Sequence, residues 1–382
     1  MPLTKHYKFN RISIDKKFLE VFLKELYMNQ MFILVIIAML TGPLFAEEAT
    51  LIDFSLLTAD IHVKVSENDE SDTPNHNSQT IMDFSQVAGG SFTTQQKQVM
   101  KTSLAIEQWE VLLASSSRTV DNISKSYTRE AKSKGYWGGE QIVMGVRVHF
   151  PVEPHNSWAM IKPPFDIPAF EPQGTYDANS GQIQPTQGDG ITSRSRFESP
   201  EEGKPAYGVV KNVGVIKSVA VNVYGLNFPH GLFTMLIDSQ GIQKSVFMGY
   251  LQFDGWGELI WNNPAYIQEV RNRDIRLYPL YPASTPFIKF GGFMIQRDAA
   301  KEGGDYIGYF KDVRIIFDKA VLDTDRDIDD EALWNIILDR ETARKVWEME
   351  RFGQTQVLRY LETQKQATEP PFDSPDRQQQ QN

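Results

Sequence analysis

Cysteine is absent from all 382 residues. No disulfide can brace the fold, no thiolate can serve as a nucleophile, and no cysteine can take part in a metal site. A basic excess is missing as well: 39 Lys and Arg face 49 Asp and Glu. That balance disfavours nucleic acid and anionic membranes, which both call for a positive surface. The chain has no GxSxG elbow, no P-loop, no GxGxxG turn and no HExxH pair, so the common acyl-transfer, nucleotide and zinc-protease signatures are all lacking. Nothing after the first 46 residues is long and apolar enough to anchor in a bilayer. What remains is an ordinary globular composition, 41% hydrophobic, with aromatics raised to 12%.

The first 46 residues read as an export signal. Met31 to Leu40 is a ten-residue apolar run, too short to span a bilayer comfortably. Thr41, Gly42 and Pro43 break it, and Leu44-Phe45-Ala46 precedes the acidic pair Glu47-Glu48. This order fits a secretory signal cut between Ala46 and Glu47, with the start codon lying as late as Met28. Leu44 is larger than the residue usual three places before such a cut. Without the leader the balance becomes 33 basic against 46 acidic residues, a net charge near −13. An exported chain without disulfides must draw its stability from a sizeable core or from assembly.

Period-two patterning dominates the mature chain. Leu51 to Phe54 and Ile61 to Val65 are strand-like, and Ser66 to Asn77 is a polar connection. Trp109 to Ala114 reads as a strand entering a serine turn, and Ser124 to Lys134 as a short helix or loop. Gln141 to Phe150 alternates cleanly, with Met144, Val146, Val148 and Phe150 on one face. Pro151 and Pro154 end it. Gln173 to Pro205 reads as a long surface loop. From Tyr207 to Phe317 the pattern is β throughout, with Asp238 to Gly241 as a hairpin turn. Many short strands split by Gly, Pro and Asn imply a jelly-roll-like antiparallel β-sandwich, of the architecture seen in carbohydrate-binding modules. Asp329 to Ala367 changes to helical spacing, with Asp327, Asp329, Asp330 and Glu331 gathered at the start, where a helix dipole favours acids. The domain plan is therefore residues 1–46 as signal, 47–318 as sandwich, 319–367 as acidic linker and helix, and 368–382 as a disordered tail.

No candidate for chemistry stands out. Asp323 to Asp329 resembles the opening of a calcium loop, but Ile328 stands at position six, where glycine is needed, and Trp334 at position twelve, where glutamate is needed. A solvated helix start explains it better. His149 and His155 flank Glu153, yet zinc would want further ligands, so His149 reads as a structural hydrogen bonder. Paired acids for glycoside hydrolysis could come from anywhere in a chain so rich in carboxylates, which discriminates nothing. Asn122-Ile123-Ser124 matches a glycosylation triplet that is common by chance. Tyr224, Phe228, Trp256 and Trp261 fall in or near loops and could be sugar-stacking platforms. Core or intersubunit contacts are the commoner use of such rings.

Several long strings resemble one family. They are QWEVLLASSSRTVDNISKSY (Gln108 to Tyr127), GVRVHFPVEPHNSWAMIKPPFDIPAF (Gly145 to Phe170), VGVIKSVAVNVYGLNFPHGLFTMLID (Val213 to Asp238), MGYLQFDGWGELIWNNP (Met248 to Pro264) and YIGYFKDVRIIFD (Tyr306 to Asp318). Together they resemble the spirochete flagellar filament outer-layer, or sheath, proteins of the FlaA family over about Leu104 to Asp318. The resemblance implies an exported, non-enzymatic periplasmic protein, without cofactor or metal, that coats the flagellin core and influences filament stiffness and curvature. Its partners would be flagellin subunits and neighbouring sheath subunits. No catalytic residues come with it. The leader before Met28 and the helix after Asp329 depart from the family pattern. Phe228 and Trp256 are then candidate lateral contacts. The rival expectations are a periplasmic carbohydrate-binding protein, with a groove of coplanar exposed rings, and a glycosidase or lyase with paired acids in a cleft.

Overall fold

The structure is a computed structural model, and it describes residues 46–59, 80–83, 93, 97, 100–170, 174–177, 182–185, 195–199, 201, 203–273, 278–279, 281–323 and 327–368. The chain divides into two units, 1–45 and Ala46–Asn382. The leader, the strand-like stretch at Ile61 to Val65, the polar connection after it and the tail beyond Thr368 lie outside the described residues.

In chain order the strands are β1 (Glu47–Asp53), β2 (Ile81–Asp83), β3 (Lys101–Ser103), β4 (Glu110–Leu113), β5 (Tyr127–Lys134), β6 (Glu140–Phe150), β7 (Ser157–Lys162), β8 (Gly174–Asp177) and β9 (Gln182–Pro185). They continue with β10 (Val209–Lys211), β11 (Val213–Leu226), β12 (Gly231–Asp238), β13 (Gln243–Tyr250), β14 (Asp254–Asn262), β15 (Tyr278–Pro279), β16 (Phe287–Arg297), β17 (Gly304–Lys319) and β18 (Leu322–Asp323). The helices are α1 (Val120–Lys125), α2 (Tyr266–Arg273), α3 (Asp330–Trp334) and α4 (Ile336–Thr368).

Two six-stranded antiparallel sheets make the sandwich. The first has the order β14-β11-β17-β6-β5, with β1 added along β17; the second has the order β13-β12-β16-β7-β4, with β10 added along β16. The long strands behave as their alternation dictates. Met144, Val146, Val148 and Phe150 of β6 point inward, as do Val219, Val221 and Val223 of β11 and Phe310, Val313, Ile315 and Phe317 of β17. They meet Leu232, Leu236, Phe290, Phe293 and Ile295 of the second sheet. Phe293 stacks on Phe310 across the sandwich at 4.4 Å and 22°. Burying this many aliphatic and aromatic side chains, at roughly 1.5–3 kcal/mol each, supplies what disulfides cannot.

Four local expectations are corrected. Ser124 to Lys134 holds the end of α1 and all of β5, because the polar residues of β5 occupy an edge strand. The long loop after Gln173 contains the β8–β9 hairpin. The region from Tyr207 to Phe317 is interrupted by α2, whose turn is prepared by Asn263: its Oδ1 accepts from Ala265 N at 3.0 Å. The C-terminal helix is two helices, since Asn335 adopts a left-handed conformation at φ 50 and ends α3. Asp329 caps α3, its carboxylate accepting from Ala332 N at 3.1 Å. Glu331, buried, accepts from Ile337 N and Leu338 N and so caps the start of α4.

Helix α4 returns to its own sandwich. Phe352 meets Phe165 edge-on at 6.2 Å, and Val357 is buried. Arg351 pairs with Asp166 at 2.8 Å, and Arg359 pairs with Glu110 of β4. Its Arg344 lies over the Phe287 ring. Beneath this region Lys289 is buried, and burial lowers its pKa against the pull of Glu348 and Asp166.

Candidate assembly surfaces

The two broad outer faces of the sandwich differ in chemistry. On the first sheet, strand register lines up Trp256, Tyr224 and Tyr309, then Gly145 and Arg129. Tyr224 meets Trp256 at 5.4 Å and Tyr309 at 6.0 Å, both edge-on. A Cβ on Gly145 would come within 3.3 Å of the Tyr309 ring, so glycine leaves that ring room to lie across β6. The neighbouring outward positions are polar. Asn222 Nδ2 donates to Asp312 Oδ1 at 2.8 Å. Arg314 donates to Glu48 at 2.6 Å and also pairs with Glu258. Burial raises the pKa of Asp312, partly offset by the Asn222 hydrogen bond. Further along, Asp305 is held below the usual carboxylate range by hydrogen bonds from Arg147 and then His149. His149 Nδ1 lies 2.8 Å from Asp305, the structural role expected of it.

The β5–β6 hairpin reaches over this face. Its tip carries Tyr136 and Trp137. Trp137 meets Trp256 at 5.4 Å and 77°, and Tyr136 stacks near-parallel on Trp256 at 6.0 Å and 27°. The Lys311 ammonium sits 5.5 Å from the Trp137 ring and 3.2 Å from Asp53. Under the tip is an open groove of about 450 Å³, bounded by Trp256, Asn222, Glu258, Asp312 and Arg314. Trp256, Tyr224 and Trp261 therefore lie on strands, not in loops, and the Trp256 ring is engaged by Tyr136 and Trp137. The rings of Trp137 and Tyr224 stand edge-on to Trp256, unlike the coplanar platform a sugar-binding reading expects.

Phe228 does sit in a loop, between β11 and β12, but its ring turns inward. It packs 5.3 Å from buried Tyr306 and 6.0 Å from His230. His230 stacks on Phe150 at 5.1 Å and 22°. These four rings close one end of the sandwich. Neither ring nitrogen of His230 has a hydrogen-bond partner among the described residues. Burial, and next the Arg297 charge, push its pKa down to about 4. Burial likewise raises the Tyr306 phenol.

The outer face of the second sheet carries an apolar belt, flanked on β4 and β7 by the charged residues Glu110 and Lys162. Register aligns Phe247, Phe233, Met294, Met160 and Leu112, one outward residue from each of its five main strands. The adjacent row adds Tyr250 and Trp158 on either side of Gly231 and Gln296. Phe247 is 41% exposed, Tyr250 56%, Trp158 39% and Leu112 36%. Phe233 and Phe247 touch at 5.0 Å, and Phe247 and Tyr250 at 5.3 Å. Sequence reading missed this belt. Its members lie far apart in the chain, and only register brings them together.

Other sequence candidates resolve into structure. Asn122 is buried in α1, its Nδ2 donating to Ser117 O at 2.8 Å, so the glycosylation triplet is spent inside the fold. Among the described residues no group of three or more His, Asp or Glu is placed to hold a metal ion. Among them also, no helix is long and apolar enough to cross a membrane.

Comparison with known proteins places these surfaces in context. The family model described as flagellar filament outer layer protein FlaA matches residues 73–326 and stops before α3. The flagellar filament outer layer protein of Treponema pallidum is 50% identical over 90% of this chain and 96% of its own length. That of Spirochaeta aurantia is 44% identical over 86% of this chain and 90% of its own length. That of Borreliella burgdorferi is 32% identical over 68% and 70%. Among solved structures, a carbohydrate-binding module of the β-sandwich superfamily is similar over 55% of this chain and 57% of its own, at 9% identity and a TM-score of 0.26, too slight a likeness to support any inference.

Proposed function

The chain belongs to the flagellar filament outer layer protein family, FlaA, and from that premise we propose that it is a structural sheath subunit of periplasmic flagella that binds the flagellin core. The observation that carries this reading is the 50% identity to an outer layer protein over 90% of the chain. The geometry agrees with a mechanical role. A rigid sandwich with a continuous aromatic core resists bending, and many such subunits bonded to a fibre and to one another raise its stiffness and bias its curvature. The polar groups on the first sheet support a non-catalytic reading, because they are consumed in mutual ion pairs: Arg314 with Glu48 and Glu258, and Asp305 with Arg147 and His149.

Lateral contacts fall at the sandwich rims in this reading. Trp256 lies on β14, an edge strand, with the 67%-exposed Tyr136 beside it. A neighbouring sheath subunit can meet both rings there. Export follows from the leader, and a cut between Ala46 and Glu47 would release β1 at its first residue. Intact-mass measurement of the periplasmic protein tests that boundary.

A deletion strain tests the function. Its filaments should be thinner and differently curved while flagellin still polymerises. Unchanged filament diameter and unchanged motility would refute the proposal. The open groove beside Trp256 is the observation on the side of a second reading, a carbohydrate-binding protein, and its edge-on rings count against it. That reading requires glycan binding by the purified protein that Trp256→Ala abolishes.

A further inference from the structure

We propose that the apolar outer face of the second sheet seats on the filament core, and that the ion-paired face of the first sheet turns away from it. This rests on the sheath reading above and adds the orientation of the subunit. A subunit in an outer layer has one broad side toward the fibre and one away from it, with neighbours at its rims. The two broad sides of this sandwich are not equivalent. The first sheet satisfies its charges internally, through Arg314, Asp312 and Asp305, and is overarched by the β5–β6 hairpin. Such a face is complete when solvated.

The second sheet is incomplete in that sense. Its apolar row crosses all five main strands, from Phe247 to Leu112, without a charged member. At about 4.8 Å between strands the row spans roughly 20 Å. With the Tyr250 and Trp158 row beside it, it has the size and composition of the desolvated centre of an interface, which a polar rim would complete to about 800 Å² per partner. Helix α4 borders this face without covering it. Arg359 is tied to Glu110, two residues from Leu112 on the same side of β4, and the neighbouring helix residues Leu358 and Leu361 stay exposed. A second copy is a weaker occupant. Face-to-face pairing would bury both belts and leave each subunit only its charged side for the fibre. It would also oppose two mature chains that each carry 33 basic against 46 acidic residues, a net charge near −13.

The test is co-sedimentation of the purified mature chain with flagellin filaments stripped of their outer layer, together with sedimentation velocity of the chain alone. The wild type should pellet with the filaments. Phe247→Asp should weaken binding at least tenfold, whereas Arg147→Ala, on the opposite face and away from the rim contacts, should change it less than twofold. Should Phe247→Asp not fold, as judged by its circular dichroism and melting profile, Phe247→Ser combined with Tyr250→Ser takes its place. A wild-type chain that does not pellet overturns the sheath reading itself. A wild-type chain that pellets, with Phe247→Asp pelleting equally, overturns this orientation alone. So does a wild-type dimer that Phe247→Asp splits while filament binding persists.

Discussion

Replacing His230 with phenylalanine should make the fold markedly less sensitive to mild acid. The imidazole is buried at one end of the sandwich, stacked on Phe150 and flanked by Phe228 and Tyr306, with neither nitrogen partnered among the described residues. Desolvation first, and the charge of Arg297 second, hold its pKa at about 4; Asp298 pulls weakly the other way. An unfolded histidine titrates near 6.5. Because the folded pKa is the lower one, the unfolded chain binds more protons between these values, so stability is complete above pH 6.5 and is lost as pH falls toward 4. The linkage amounts to about 2 kcal/mol by pH 5 and about 3 kcal/mol by pH 4. Phenylalanine keeps the stacked ring and removes both the titration and the unpartnered nitrogens. Urea unfolding of both proteins at pH 7, 6 and 5 measures this. Subtracting the two pH profiles cancels the carboxylates, including Asp312, whose raised pKa acts in the opposite direction. Parallel profiles between pH 7 and pH 5 would refute the assignment of a buried neutral imidazole.

Other substitutions probe separate parts of the architecture. Gly292→Ala should cost about 3 kcal/mol or more, because φ is 122 there and an added Cβ would overlap the Ile161 carbonyl oxygen of the paired strand; thermal melting reads it, and a loss under about 1 kcal/mol would contradict the β7–β16 register. Phe352→Ala removes the ring that meets Phe165 and should loosen α4 at a cost of about 2 kcal/mol, so that limited proteolysis cuts within the helix while the sandwich stays intact. Trp256→Ala removes three ring contacts and should cost about 1–3 kcal/mol. It should release the hairpin tip, seen as faster amide hydrogen exchange at Tyr136 and Trp137; unchanged exchange and stability would mean that other contacts, from Lys311 and the Gln141 side chain, hold the tip.

The sandwich class was legible because long strands such as β6 and β11 bury one side only, and alternation survives wherever that holds. The acid-capped helical tail was legible for a similar reason: Asp329 and its neighbours act within one turn. What escaped depends on distant partners. β5 looks polar because it is an edge strand whose buried positions are themselves polar: Thr128 and Ser133 are buried, Thr128 donating to Ile106 O, while Arg129 and Lys132 are exposed. α2 carries only Tyr266, Ile267 and Val270 as large apolar residues, too few for a visible stripe. The direction in which Phe228 points depends on Tyr306 and His230, and no local pattern encodes it. The apolar belt is the sharpest case. Phe233 and Met294 each look like an ordinary strand residue, and only pairing across the sheet makes them a surface.

The placement of β1 has a consequence for how the polypeptide reaches its destination. That opening strand lies along β17, and its Asp53 is paired with Lys311, 258 positions downstream. A polypeptide threaded through a secretion pore from its amino end thus emerges with its first hydrogen-bonding edge unpaired. Until nearly the whole β region has followed, that edge has no native mate, and closing so long a loop is entropically slow. On the export reading proposed above, late closure would keep the chain pliable during passage and postpone its folding until it has crossed.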